Sequence, residues 1–210
     1  MISTIQKLYN QKEFFEQAQA FFNQEGFIQL QQFFEESNDL NTFTTQMIKS
    51  NNYSMFYNPL IEQKHLFNET NTPSSLLASI EYFKSKTFEQ YIEELVGFSL
   101  TLQRVEISKF THKCFELLHD SKVADSMLID VYYFITQDEF ESEYGGDKVY
   151  TTYNEELFYI TPQHNTLTCV FRDDEMRQYT KYINSLAKEK QYIQIKCVYE
   201  IQGSLDEELM

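Results

Sequence analysis

Apolar positions along the first hundred residues repeat with helical spacing, and those after it alternate as strands do. In "KEFFEQAQAFFNQ", Phe14, Phe15, Ala18, Phe21 and Phe22 fall on one helical face. Gly26 ends that helix, and "FIQLQQF" follows as a strand. "SNDLNTFTTQMIKS" predicts a capped helix, with Ser37, Asn38 or Asp39 as the cap. "TPSSLLASIEYFKSKTFEQYIEELVG" carries two helical segments, with Pro73 near the first start and Gly97 just past the second end. After Gly97 come "SLTLQRVEISKF", "KCFELL", "SMLIDVYYFIT", "DKVYTTY", "ELFYIT", "NTLTCVF" and "YIQIKCVYEI", all rich in β-branched and aromatic residues. The turn signals "YGGD", "YNEE" and "TPQHN" separate them. Helices first and many short strands afterwards predict an α+β domain whose body is an antiparallel sandwich or barrel. Leu117, Ile129, Val131, Leu167, Cys169 and Val198 are expected between its two sheets. "RQYTKYIN" stays ambiguous, because Met176, Tyr179, Thr180 and Ile183 also suit a helix.

Composition narrows the function classes. The 210 residues suffice for one ordinary domain, with 19 Phe, 15 Tyr and no Trp. A formal net charge of −15 argues against nucleic acid as a partner, since phosphate contacts need clustered Lys and Arg. It suits a docked basic partner or simple solubility. Cys114, Cys169 and Cys197 are far apart in apolar surroundings, as expected of buried thiols in a reducing compartment. No apolar run is long enough to cross a bilayer, and "MISTIQKLYNQKEFF" lacks a signal-peptide core and is not Arg-rich.

Other chemistries fare poorly. His65, His112, His119 and His164 are scattered. Cys114 lies two residues from His112, but nothing marks its thiol as activated. Gly145 and Gly146 are not a phosphate loop, because no Lys-Ser/Thr follows. The acidic run "DEFESEYGGD" lacks the alternating ligand order of a calcium loop.

The series "FELLHD", "ESEYGGDKVYTTYNEEL", "ITPQHNTLTCVFRDDEMRQYTKYIN" and "YIQIKCVYEI" resembles the 2-oxoglutarate and iron dependent prolyl hydroxylases of the ribosomal type. The closest likeness is to their second double-stranded β-helix domain, which lacks the iron site and is associated with interaction. The resemblance implies a double-stranded β-helix, a jelly-roll or cupin-like barrel, over 98–202. A mainly helical support layer over 1–97 precedes it and an acidic tail over 203–210 follows, all within one domain. It also implies where an iron site would fall. The family's early-strand His and carboxylate, one residue apart, correspond to His119 and Ser121, with Asp120 between them. Neighbours on a strand point to opposite faces, so His119 and Asp120 do not clasp one ion easily. The late-strand His corresponds to Gln178, and no His follows His164. The basic partner of the cosubstrate carboxylate corresponds to Lys190 or Lys196, in a region that also holds Gln191 and Gln194.

On this reading the iron positions are degenerate. The chain is expected to be a pseudoenzyme rather than an enzyme, with no catalytic, metal or cofactor residues and no small-molecule substrate. Its expected role is that of an accessory subunit in a large assembly of protein partners, such as mitochondrial respiratory complex I, peripheral to the membrane. The cytosol is the alternative compartment. The alternative functions are an active prolyl hydroxylase with rearranged ligands and a translation-linked interaction module.

Overall fold

A computed structural model describes residues 4–58, 62–70, 72–119, 127–152 and 156–202. The expected acidic tail lies outside the described residues. The described residues form the helices α1 (Lys12–Glu25), α2 (Asn38–Lys49), α3 (Ser74–Phe83) and α4 (Lys86–Val96). Ser37 caps α2 by accepting from the Leu40 amide at 3.1 Å, and Ser85 caps α4 by accepting from Phe88 at 3.2 Å. Gly26 and Gly97 sit in the left-handed region, at φ 72° and 81°, and close α1 and α4. No described helix is long and apolar enough to cross a membrane.

The strands are β1 (Phe27–Leu30), β2 (Tyr53–Asn58), β3 (Glu62–Phe67), β4 (Leu100–Phe110), β5 (Phe115–His119), β6 (Leu128–Thr136), β7 (Lys148–Thr151), β8 (Glu156–Ile160), β9 (Thr166–Arg172), β10 (Arg177–Thr180) and β11 (Tyr192–Ile201). All pair antiparallel, in the order β1-β9-β6-β11-β4-β3-β5-β10-β7-β8, with β2 beside β3. The sheet curls over itself. A major half (β1, β9, β6, β11, β4) faces a minor half (β5, β10, β7, β8), and β3 bridges β4 to β5. This is the double-stranded β-helix. The ambiguous "RQYT" is the strand β10. The hairpin β2–β3 has no counterpart among the predicted elements.

Alternation along β6 and β11 divides the core in two. Ile129, Val131, Tyr133 and Ile135 on β6, with Ile193, Ile195 and Cys197 on β11, pack against the helices. Tyr132, Phe134 and Tyr192 point the other way, into the barrel. Ile129, Val131, Leu167 and Cys169 are buried as expected, but between the major half and the helices rather than between the two sheets. Val198 is buried as well. Leu117 is a correction. It is 45% exposed, because Glu116 takes the inward face of β5 and alternation sends Leu117 outward.

Candidate functional site

Strand geometry sends a set of charged side chains into the barrel, and each finds a partner there. Asp130, on β6, is fully buried. Its carboxylate accepts from Arg172 Nε at 2.9 Å and Nη2 at 3.2 Å, and from the Tyr150 hydroxyl at 2.9 Å. Lys196 Nζ, from β11, lies 3.4 Å from it. The Tyr132 and Tyr150 hydroxyls are 2.6 Å apart, and Tyr132 donates to Gln178 Oε1 at 2.6 Å. A second cluster centres on Glu116, which accepts from Lys64 at 2.8 Å, from Thr180 at 2.5 Å and from Lys148. Lys64 also pairs with Glu106 at 2.6 Å and Glu62 at 2.7 Å. The Lys148 and Lys196 ammonium groups flank the Tyr132 ring, 5.6 Å and 5.2 Å from its centroid.

These partners set the protonation states. Burial works to raise the pKa of Asp130, but Lys196 and Arg172 hold it below the usual carboxylate range. Glu116 shows the same balance, with Lys148 and Lys64 winning over burial. Burial lowers Lys196 to about 8, despite the attraction of Asp130, with Lys148 and Arg172 adding repulsion. Burial also pushes the Tyr132 and Tyr150 hydroxyls up.

The residues singled out from sequence are placed unequally. His119 ends β5, and its backbone pairs with Gln178 of β10. Asp120 and Ser121 lie outside the described residues. Gln178 is buried, with its side chain in the barrel. Lys190 precedes β11, donates to the Glu139 carbonyl at 2.9 Å, and lies 4.8 Å from the Tyr144 ring centroid. Lys196 is the lysine that β11 turns inward. Cys114 follows a turn rather than sharing a strand with His112, and burial raises its thiol pKa. Asp130, Arg172, Glu116 and Lys148 were not anticipated. The legible signal was a lone Asp inside the otherwise apolar run "LIDVYYFIT".

The family resemblance drawn from the sequence implies iron and 2-oxoglutarate. Among the described residues no group of three or more His, Cys, Asp or Glu side chains is placed to hold a metal ion. The central carboxylate, Asp130, already faces two cations, so the described donors do not fit iron. Arg172 and Lys196 do have the charge that a dicarboxylate requires.

Residues 45–208 match the family described as "Oxoglutarate and iron-dependent oxygenase degradation C-term". A prolyl 3-hydroxylase OGFOD1 of Xenopus laevis is 30% identical over 91 residues, which is 40% of this chain and 17% of that protein. The chain thus spans far less than two thirds of this curated relative. A Pseudomonas putida prolyl-4-hydroxylase superposes with a TM-score of 0.64 at 8% identity, covering 90% of this chain and 99% of that one. A Trichoplax adhaerens prolyl hydroxylase, solved with a hypoxia inducible factor oxygen degradation domain peptide fragment, superposes with a TM-score of 0.64 at 12% identity, over 90% of each chain. These matches bear out the resemblance and the fold, and they overturn the expectation that the chain is not an enzyme. The relatives carry the names of prolyl hydroxylases. The expectation of a pseudoenzyme rested on Ser121 in place of a carboxylate, on the absence of any His after His164 and on the lack of an Arg in "YIQIKCVYEI", and Ser121 lies outside the described residues.

Proposed function

The chain belongs to the oxoglutarate and iron-dependent oxygenase degradation C-terminal family, and from that premise we propose that it works in 2-oxoglutarate- and iron-dependent prolyl hydroxylation. The observation that carries this is the family match over 45–208, which spans the strands from β2 to β11. In this reading the metal ligands differ from the His-x-carboxylate pattern, since the described residues bring together no group of three or more His, Cys, Asp or Glu side chains. The chain's own contribution is electrostatic. Arg172 and Lys196 enter the barrel from β9 and β11, where the carboxylate of a cosubstrate would share them with Asp130. The test is succinate release by the purified chain supplied with ferrous iron, 2-oxoglutarate and a proline-containing peptide. Release that needs both iron and peptide is expected, with Lys196→Met raising the KM for 2-oxoglutarate. Release no greater than in the iron-free control would overturn the reading.

A second reading, as a protein-binding member of a larger assembly, is favoured by a separate observation. The described helices pack on the major half of the sheet, while Leu117, Tyr159 and Tyr182 on the minor side are exposed. Native purification followed by mass spectrometry tests it. A stoichiometric partner is expected, and a lone chain would count against it.

A further inference from the structure

The hairpin β2–β3 leaves β2 as an edge of the sheet. Asn68 donates its amide to the Asn52 carbonyl at 2.7 Å, and the register then sets Ser54 opposite Leu66 and Phe56 opposite Lys64. In an antiparallel ladder these even-numbered residues bond to β3, so the amides and carbonyls of Tyr53, Met55 and Tyr57 point away from it. Among the described residues no strand pairs with that side of β2. Folded proteins protect such an edge with charge, proline, a bulge or shortness. β2 has six residues, no charged side chain, no proline and an unbroken register. Met55 and Tyr57 are 54% and 60% exposed. The edges at β1 and β8 differ. They are four and five residues long, and Phe27 and Phe158 stack across them at 4.7 Å.

The sequence of this edge identifies the occupant. Tyr53-x-Met55-x-Tyr57 reads the same in both directions, so it is its own antiparallel complement. We infer that β2 pairs with β2 of a second copy of the chain, about a two-fold axis at Met55. In that register Met55 faces Met55 of the other copy, and Tyr53 of each copy faces Tyr57 of the other. All three outward-pointing residues of each copy then exchange hydrogen bonds, and their side chains stand as cross-strand pairs on one face. A register shifted by two residues would leave Tyr53 or Tyr57 of each copy outside the paired stretch. The formal net charge of −15 on each copy opposes the approach. That repulsion is long-range and screened by salt, whereas β2 itself brings no charge to the interface. This inference goes beyond both readings above and is independent of turnover.

The test is sedimentation equilibrium of the full chain. A reversible dimer is expected at about 10 μM, tighter at roughly 0.5 M salt than at roughly 0.05 M. Met55→Lys and Met55→Glu should each weaken it at least about tenfold, with thermal melting unchanged at about 1 μM, where the parent is monomeric. An equimolar mixture of the two variants should recover a dimer, because position 55 faces itself across the axis and the mixture sets Lys against Glu. Tyr57→Lys, at another position on the same edge, should weaken the parent dimer as well. A chain monomeric to about 200 μM would overturn the inference. So would a dimer indifferent to these substitutions, or a mixture that associates no better than either variant alone. A monomer whose β2 edge is taken by a strand of a different protein would overturn it too, since the occupant would not be a second copy. Succinate release by a chain that stays monomeric would sink this inference and leave the hydroxylase reading standing.

Discussion

Burying the carboxylate of Asp130 costs free energy that its partners must offset, and those partners are buried with it. Replacing it with Asn removes the buried carboxylate that Arg172 and Lys196 share. Asp130→Asn should therefore lower the unfolding free energy by about 3–5 kcal/mol, measured by urea denaturation at neutral pH. The same linkage sets a pH dependence. Asp130 and Glu116 are held low in the fold, so the unfolded chain takes up protons first as pH falls through the ordinary carboxylate range. Stability should then decline below about pH 4. Lys196 works in the opposite sense. It titrates near 8 in the fold, so the unfolded chain binds the extra proton between there and the ordinary lysine range. Its contribution rises with pH across that window, and Lys196→Met should abolish this rise in urea midpoints measured from pH 8 to 9.5. Gly145 is a different kind of constraint. At φ 76° and ψ −155° it occupies backbone open to glycine, and a Cβ there would meet the Tyr182 carbonyl oxygen at 2.0 Å. Gly145→Ala should cost at least about 1–3 kcal/mol, read from the same denaturation curves. The "YGGD" signal was legible as a turn, but the Tyr182 backbone that requires Gly145 is remote in sequence.

Within single elements, alternation was readable but its polarity was not. Leu117 and Leu167 look alike in sequence, each in a short apolar run. In the fold Leu167 is buried on β9, while Leu117 stands outside β5 because Glu116 is drawn inward by Lys64 and Lys148. Leu167→Ala should cost about 2–5 kcal/mol, whereas Leu117→Ala should stay within about 0.5 kcal/mol of the parent. A comparable loss at both positions would show that the outer face of β5 is covered. Cap chemistry was the most legible layer, because a Ser side chain and a glycine act on backbone within one turn. Ser37 and Gly97 do what their positions in the sequence suggested. The hairpin β2–β3 escaped notice because "YSMFYN" has neither clear alternation nor a turn signal of the two-residue type. The candidate site was half legible for a related reason. The family resemblance singled out His119 and Gln178, and the register of β5 and β10 sets their backbones opposite each other. The clusters around Asp130 and Glu116 depend on side chains from strands far apart in the chain, which spacing does not reveal.

At the scale of the molecule, helices and barrel share a core, and this decides how the chain should unfold. Phe83, Phe88, Ile92 and Leu95 are buried with Ile129, Tyr133, Ile195 and Tyr199 of the major half. The Phe83 and Tyr133 rings lie 5.3 Å apart, and Phe34 stands 5.2 Å from Tyr133. The first hundred residues also supply β1, which extends the major half alongside β9, and β3, which bridges β4 and β5. Removing residues 1–97 would therefore expose one face of β6 and β11 and open the seam between the two halves of the sheet. Lys64 would go with them, leaving Glu106 without the cation that the structure gives it and Glu116 with Lys148 alone as a cation. A fragment of residues 98–202 should lack a cooperative transition and bind a hydrophobic dye, while the full chain should unfold in one step by both circular dichroism and intrinsic tyrosine fluorescence. Two separated transitions in the full chain, or a fragment that melts cooperatively, would show that the barrel stands without its helical layer. Such a result would also allow the succinate assay to be run on the barrel alone.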